Sequence, residues 1–136
     1  MARLDFSTLT RTITADALAH PTDLGPTLAK RHSVSRGTMT KQLKRLVDSG
    51  WLERSGVTRP RFKPGVQREV TNEYAIAGLD EHTPWLRDIH PVLQLNPAVA
   101  RIAQHVFGEL LNNAIDHALA TRVTVSVRQT PTHLHI

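Results

Sequence analysis

The segment Ser33-Val-Ser-Arg-Gly-Thr-Met-Thr-Lys-Gln-Leu-Lys-Arg-Leu-Val-Asp-Ser-Gly-Trp-Leu-Glu-Arg54 leaves this chain fewer folding options than any other. Met39, Leu43, Leu46 and Val47 fall at i, i+4, i+7 and i+8, the spacing of one stripe along an α-helix. Ser35 stands where a side-chain oxygen can accept a bond from the unpaired N–H groups of the first turn. Gly50 stands where a left-handed residue stops the helix. At about 100° per residue, the opposite side displays Gly37, Lys41, Lys44 and Arg45, with Arg36 and Thr38 at the leading end. The segment therefore predicts a helix with a core face and a cationic face, followed by a short strand.

A cationic face means something only against the charge around it. The 136 residues carry a net charge of +5. Residues 1–76 hold 13 Lys/Arg and 7 Asp/Glu, net +6, whereas residues 77–136 hold 4 and 5, net −1. The basic excess lies wholly in the first part. A polyanion such as double-stranded DNA is the simplest partner for it, because neutralised phosphates release condensed counterions. Charge alone fits a basic but idle surface equally well. The length suits one domain, or one small domain with part of another. Cysteine is absent, which removes disulfide and thiolate–metal chemistry and makes a reducing cytoplasm the expected compartment. No signal region is expected in the opening residues, and no run of about 18 apolar residues could span a bilayer, so no membrane partner is expected.

Upstream, Phe6, Leu9, Ile13, Ala17 and Leu18 have helical spacing and predict a first helix over residues 6–19. Pro21 ends it, and Thr22 or Asp23 can cap a second helix through about Arg31, with Leu24, Leu28 and Ala29 turned inward. Only His32 to Val34 then precede the helix led by Ser35, so the two helices must cross steeply as a helix-turn-helix. Trp51-Leu-Glu-Arg54, a turn from Ser55-Gly56 to Pro60, and Arg61-Phe-Lys63 read as a β-hairpin. Its loop and second arm carry Arg59, Arg61 and Lys63, while Trp51 and Phe62 are expected to pack it onto the helices. After Pro64-Gly65, Val66 to Ile76 is expected to form one more strand with Val70, Tyr74 and Ile76 inward, and the first unit to close near Ala77.

This order of helix, helix, tight turn, Ser-Arg-Gly-Thr helix, Asp-Ser-Gly-Trp-Leu and hairpin resembles the winged helix-turn-helix domain of bacterial transcription regulators over about residues 5–76. In such domains the third helix enters the major groove and the wing lies along the backbone or minor groove. By position, the resemblance implies groove-facing roles for Arg36, Gly37, Thr38, Lys41 and Lys44, with Arg45 on the same basic side. It implies phosphate contacts from Arg59, Arg61 and Lys63, and a sequence-specific DNA-binding regulator that could pair as a homodimer. Two other readings fit the same residues: a solvated basic helix face, and a winged helix that serves only as a protein-binding platform.

Residues 78–97 are expected to connect, with one helical turn near Trp85. Asn96-Pro97 then opens a long helix from Ala98 to about Ala120, Asn96 as cap and Pro97 at the first helical position. Val99, Ile102, Ala103, Val106, Leu110, Ala114 and Ile115 are expected to be buried. Arg122-Val-Thr-Val-Ser-Val-Arg128 alternates strictly, and His133-Leu-His-Ile136 can return beside it as a hairpin. The expected fold class is α+β. A winged helix-turn-helix domain over residues 1–77 is followed, over residues 98–136, by a long helix and a short β-hairpin from an incomplete α/β sandwich.

Within the long helix, Glu109-Leu-Leu-Asn-Asn-Ala-Ile-Asp-His-Ala118 resembles the N-box of the histidine-kinase-like (GHKL) ATPases. The resemblance implies that Glu109 polarises the attacking water in hydrolysing members, and that Asn113 places Mg²⁺ on the nucleotide phosphates with Asn112 and His117 beside it. A carboxylate suits a proton and an amide oxygen a hard cation. Asp116 stands where many sensor kinases of that group have a basic residue. The group's Asp-x-Gly-x-Gly and later glycine-rich boxes do not occur. The chain is therefore expected to be a piece of a longer regulator with a nucleotide-responsive domain. It would hold no cofactor itself, and Mg-ATP and any ATPase or kinase activity would belong to the longer protein. The alternative is a kinase-like ATPase with an accessory winged helix. His105 with Glu109, or His133 with His135, suggests a metal only faintly, since no third ligand is fixed by spacing. Ser/His/Asp nucleophile signatures and P-loop glycines are absent.

Overall fold

The computed structural model describes residues 4–117 and 119–136. Three helices, α1 (Phe6–Ala19), α2 (Leu24–Arg31) and α3 (Arg36–Asp48), lead into a two-stranded wing, β1 (Leu52–Ser55) and β2 (Arg61–Pro64). Asp5 caps α1 by accepting from the Ser7 N–H at 3.3 Å, and Ser35 caps α3 by accepting from the Thr38 N–H at 3.1 Å. Asp23 occupies the N-cap of α2 without bonding a backbone amide. Its carboxylate instead accepts from the Thr27 hydroxyl at 3.2 Å.

α2 and α3 end in the same left-handed reversal. Ser33 has φ 54°, its N–H donates to the Lys30 carbonyl at 3.3 Å, and the Val34 N–H donates to the Ala29 carbonyl at 3.0 Å. Gly50 has φ 85°, its N–H donates to the Val47 carbonyl at 3.1 Å, and the Trp51 N–H donates to the Leu46 carbonyl at 2.9 Å. Both are Schellman motifs, which satisfy carbonyls that the ending helix leaves unpaired. The first swings α3 across α2, and the second sends the chain into β1. Gly65 closes the wing against this second reversal, because a Cβ there would collide with the Gly50 carbonyl oxygen.

The core beneath these elements joins Leu9, Ile13, Leu24, Leu28, Met39 and Leu46, and Trp51 and Phe62 close it from the wing as predicted. Leu18, expected inward, is instead half exposed, and Thr14 and Asp16 take its place in the interior of α1. The reason is that α1 has two neighbours. Asp16 accepts two bonds from Arg31 of α2, both at 2.9 Å, while the Thr14 hydroxyl oxygen accepts from the Glu69 N–H at 3.1 Å.

Glu69 belongs to β3 (Arg68–Ala75), the strand expected after Gly65, but its partner is not the wing. All eight residues pair antiparallel with β4 (Arg122–Gln129), from Arg68 opposite Gln129 to Ala75 opposite Arg122. β5 (Leu134–His135) joins the far side through Gln129 and Arg128, giving the order β3-β4-β5. The pairing completes one apolar sheet face, with Val125 and Val127 in the interior beside Val70 and Tyr74. Ile76, expected inward within the strand, lies just past its end and is half-buried.

The helical turn expected near Trp85 is a single π turn (Trp85–Ile89) followed by a short 3₁₀ turn (His90–Val92). Trp85 and Ile89 are fully buried, with the Trp85 ring 5.4 Å from that of Phe107. Beside them the Tyr74 hydroxyl donates to Asp88 at 2.7 Å. Bonds from Arg87 hold the Asp88 carboxyl below the usual carboxylate range, and burial pushes the Tyr74 hydroxyl up. α4 (Pro97–His117) starts as predicted, with Asn96 accepting from the Val99 N–H at 2.9 Å. Its buried face matches the predicted stripe only in part: Ala103 is buried and Ile115 is half-buried against the core, as expected. Ala103, Phe107, Gly108 and Leu111 point inward, whereas Val99, Ile102, Val106 and Leu110 are 39%, 67%, 41% and 48% exposed. The apolar arc of α4 is wider than one sheet face can cover, and Trp85 draws the Phe107 side inward.

Candidate nucleic-acid interface

Met39, Leu43 and Leu46 pin one face of α3 into the core, and this fixes what the other face shows. Arg36, Gly37, Thr38, Lys41, Lys44 and Arg45 are all exposed, as the sequence predicts. The cap also positions Thr38: its Oγ1 accepts from the Ser35 hydroxyl at 2.9 Å, which leaves the proton of Thr38 for a further acceptor. The Lys44 ammonium lies 3.6 Å from Asp48 in an exposed pair, a loose tether that water screens. Arg45 is engaged differently, because its guanidinium sits 4.1 Å above the centre of the Phe6 ring and ties α3 to the start of α1.

The wing is held to the helices by its backbone. The Phe62 N–H donates to the Pro21 carbonyl at 2.9 Å, so β2 is bonded to the α1–α2 corner rather than hanging free. Strand alternation then turns Phe62 inward and Arg61 and Lys63 outward, with Arg59 exposed in the loop. Two wing residues escape a reading of the sequence alone. Arg54 donates to the Val57 carbonyl at 3.4 Å and shapes the wing tip. Glu53 lies directly opposite Lys63 in the hairpin, with its carboxylate 3.1 Å from the ammonium. The signal for Glu53 is the hairpin register, which places i and its cross-strand partner side by side once the loop length is known.

The α4 motif is arranged more loosely. Glu109, Asn113 and His117 are exposed. Asn112 is half-buried and donates its amide to Glu81. Glu109 lines an open groove of about 290 Å³ with Glu81, His82, Arg101 and His105, whereas Asn112, Asn113 and His117 lie outside its lining. Among the described residues no three His, Asp or Glu side chains gather for a metal ion, and no helix is long and apolar enough to cross a membrane.

The helical reversal at Ser33, the exposed basic face of α3 and the tethered hairpin together make a winged helix-turn-helix. Residues 20–58 match the family model described as MarR family, a span running from the end of α1 into the loop of the wing. The match includes α2, α3 and β1 and does not reach β3 or α4. No curated protein matches the chain, and no solved structure matches it.

Proposed function

We propose that this chain is a transcription regulator that binds double-stranded DNA with α3 in the major groove and the wing against flanking phosphates. The observation that carries the reading is the division of α3. One face is sealed in the core, and the other presents Arg36, Thr38, Lys41 and Lys44 to solvent next to a wing bearing Arg59, Arg61 and Lys63. Phosphate contacts set register and base-edge contacts set sequence, and the two groups of residues divide along that line. Gly37 adds no side chain at the leading turn, so the backbone there can approach the duplex closely. The match over residues 20–58 and the concentration of positive charge in the first part support the same reading. A cytoplasmic location belongs to the proposal, since DNA is there. The nucleotide role implied by the α4 motif forms no part of it.

The test is fluorescence anisotropy of a labelled duplex over a salt series. Replacing Lys41 and Lys44 with Ala is expected to weaken binding and relax its sequence preference, whereas replacing Arg61 and Lys63 with Ala is expected to weaken it and to reduce the slope of log K against log salt by about 1.8, or about 0.9 for each phosphate that is no longer neutralised. Binding and slope that match the parent chain would sink the assignment.

A further inference from the structure

Two cations of the basic surface, Lys44 and Lys63, are held by carboxylates at 3.6 and 3.1 Å, and each is partly neutralised by its partner. Arg45 is held without being neutralised. Among the described residues no carboxylate reaches ion-pair distance of it. What fixes it is the Phe6 ring, whose centre lies 4.1 Å from the guanidinium carbon. That ring is itself anchored, half-buried in the first turn of α1 and packed against the core shared with α3. An aromatic face attracts a cation without taking its N–H donors, so these stay available to a further acceptor. The two side chains line an open groove of about 520 Å³ with Leu4, Asp5 and Gln42. Asp5, the one carboxylate in that lining, is engaged by the N–H and the hydroxyl of Ser7 at 3.3 and 2.9 Å.

We propose that Phe6 is a positioning residue for DNA binding, holding Arg45 toward a backbone phosphate at the corner between α1 and α3. The proposal rests on the reading of α3 as the helix that meets the duplex. Arg45 follows Thr38 by seven residues, close to two turns, so it lies on the same side of α3 about 10 Å nearer the C-terminal end. A helix that brings Arg36 and Thr38 to base edges therefore carries Arg45 toward the margin of the groove, where the phosphates run. A guanidinium meets a phosphate through two parallel N–H donors. Resting it on a ring beforehand removes rotamers that a free arginine would lose on binding. Phe6 opens α1, whereas Pro21, to which the wing is bonded, follows the end of that helix, so this contact has a support separate from that of the wing.

Anisotropy of the whole chain with a labelled duplex over a salt series tests this. Arg45→Gln is expected to weaken binding and to reduce the slope of log K against log salt by about 0.9, for one phosphate no longer neutralised. Phe6→Leu keeps an apolar side chain on the core and removes the aromatic face. It is expected to weaken binding roughly two- to fivefold, the equivalent of an exposed cation–π contact, with the slope kept, and Phe6→Tyr is expected to restore the parent affinity. In the Arg45→Gln background Phe6→Leu is expected to change nothing further. If Phe6→Leu loses its helical circular dichroism, Phe6→Met takes its place in the same cycle. An unchanged slope in Arg45→Gln overturns the proposal. So does a loss with Phe6→Leu that persists in the Arg45→Gln background, because the ring would then act through packing alone. Where replacing Lys41 and Lys44 weakens binding and neither Arg45→Gln nor Phe6→Leu does, α3 remains the reading helix and only this proposal falls. Unchanged binding with Lys41 and Lys44 replaced removes the reading of α3 and this proposal with it.

Discussion

α3 and α4 are both amphipathic helices that bury one side, and they differ in what they leave in water. α3 shows cations, in a part of the chain (residues 1–65) that holds 12 Lys/Arg against 5 Asp/Glu. α4 shows Val99, Ile102, Val106 and Leu110, in a part (residues 66–136) that holds 5 against 7. A cationic surface is stable in water and finds a polyanion by long-range attraction. An exposed apolar stripe costs free energy until something dry covers it. The two exposed faces therefore differ in the chemistry that could cover them, a polyanion for α3 and an apolar surface for α4.

If the two parts are separate in energy as well as in surface, damage to one core should stay local. Phe107→Ala removes a ring packed on Trp85 and is expected to cost about 3–5 kcal/mol, and Leu46→Ala, fully buried between α3 and its neighbours, about 2–5 kcal/mol. Urea denaturation measures the totals. Amide hydrogen exchange decides how far each spreads, with Phe107→Ala expected to speed exchange in β3, β4 and α4 well before α3. Equal acceleration in all of them would make the molecule one cooperative unit. The Thr14–Glu69 bond and the Arg68 guanidinium, which donates to the Gly65 carbonyl and to the Val92 carbonyl, both at 3.0 Å, would then be the coupling.

This contrast also shows where sequence reasoning works. Ser35, Asn96 and Gly50 act within one turn of their own positions, so their caps and reversals are readable from neighbouring residues. The core face of α3 is readable because its apolar residues fill only a narrow stripe. On α4 the apolar residues occupy a wide arc, and which part turns inward is decided by Trp85 and by the valines of β4, distant in sequence. Phe107 and Leu111 escape prediction for that reason. β3 is recognisable as a strand, but its partner lies some fifty residues further on, and alternation is the same whichever strand it meets. At the interface, the exposed cations follow from the helix period, while the engagements of Arg45 with Phe6 and of Lys63 with Glu53 depend on tertiary packing and register.

The paired reversals allow a finer comparison within the first part. Gly50 adopts its left-handed conformation without a Cβ, whereas Ser33 holds φ 54° with one. Left-handed backbone costs an ordinary residue about 1–2 kcal/mol, and glycine regains part of that while its unfolded chain is more mobile. Ser33→Gly is therefore expected to raise the unfolding free energy by about 0.5–1 kcal/mol, measured by urea denaturation, with no change in DNA affinity. A loss of stability would mean that the Ser33 side chain supports the turn in a way the backbone bonds do not. A gain in stability accompanied by weaker DNA binding would mean that strain at Ser33 sets the angle between α2 and α3.

The smallest effect concerns the one carboxylate in the wing's outer face. Glu53 shares the Lys63 ammonium at 3.1 Å, and both groups are well exposed, so the pair is worth no more than about 1 kcal/mol. When phosphate competes for Lys63, that pair has to open and Glu53 repels the incoming anion. Glu53→Gln is expected to tighten duplex binding by roughly two- to fivefold, the equivalent of that pairing energy, with fold stability nearly unchanged. Anisotropy at several salt concentrations measures it, and the gain should shrink as salt rises. In a Lys63→Ala background the same change should retain only the benefit of removing a negative charge. A full gain there would place Glu53 itself, rather than Lys63, against the phosphates, while no gain in either background would take the wing off the DNA and leave α3 to bind alone.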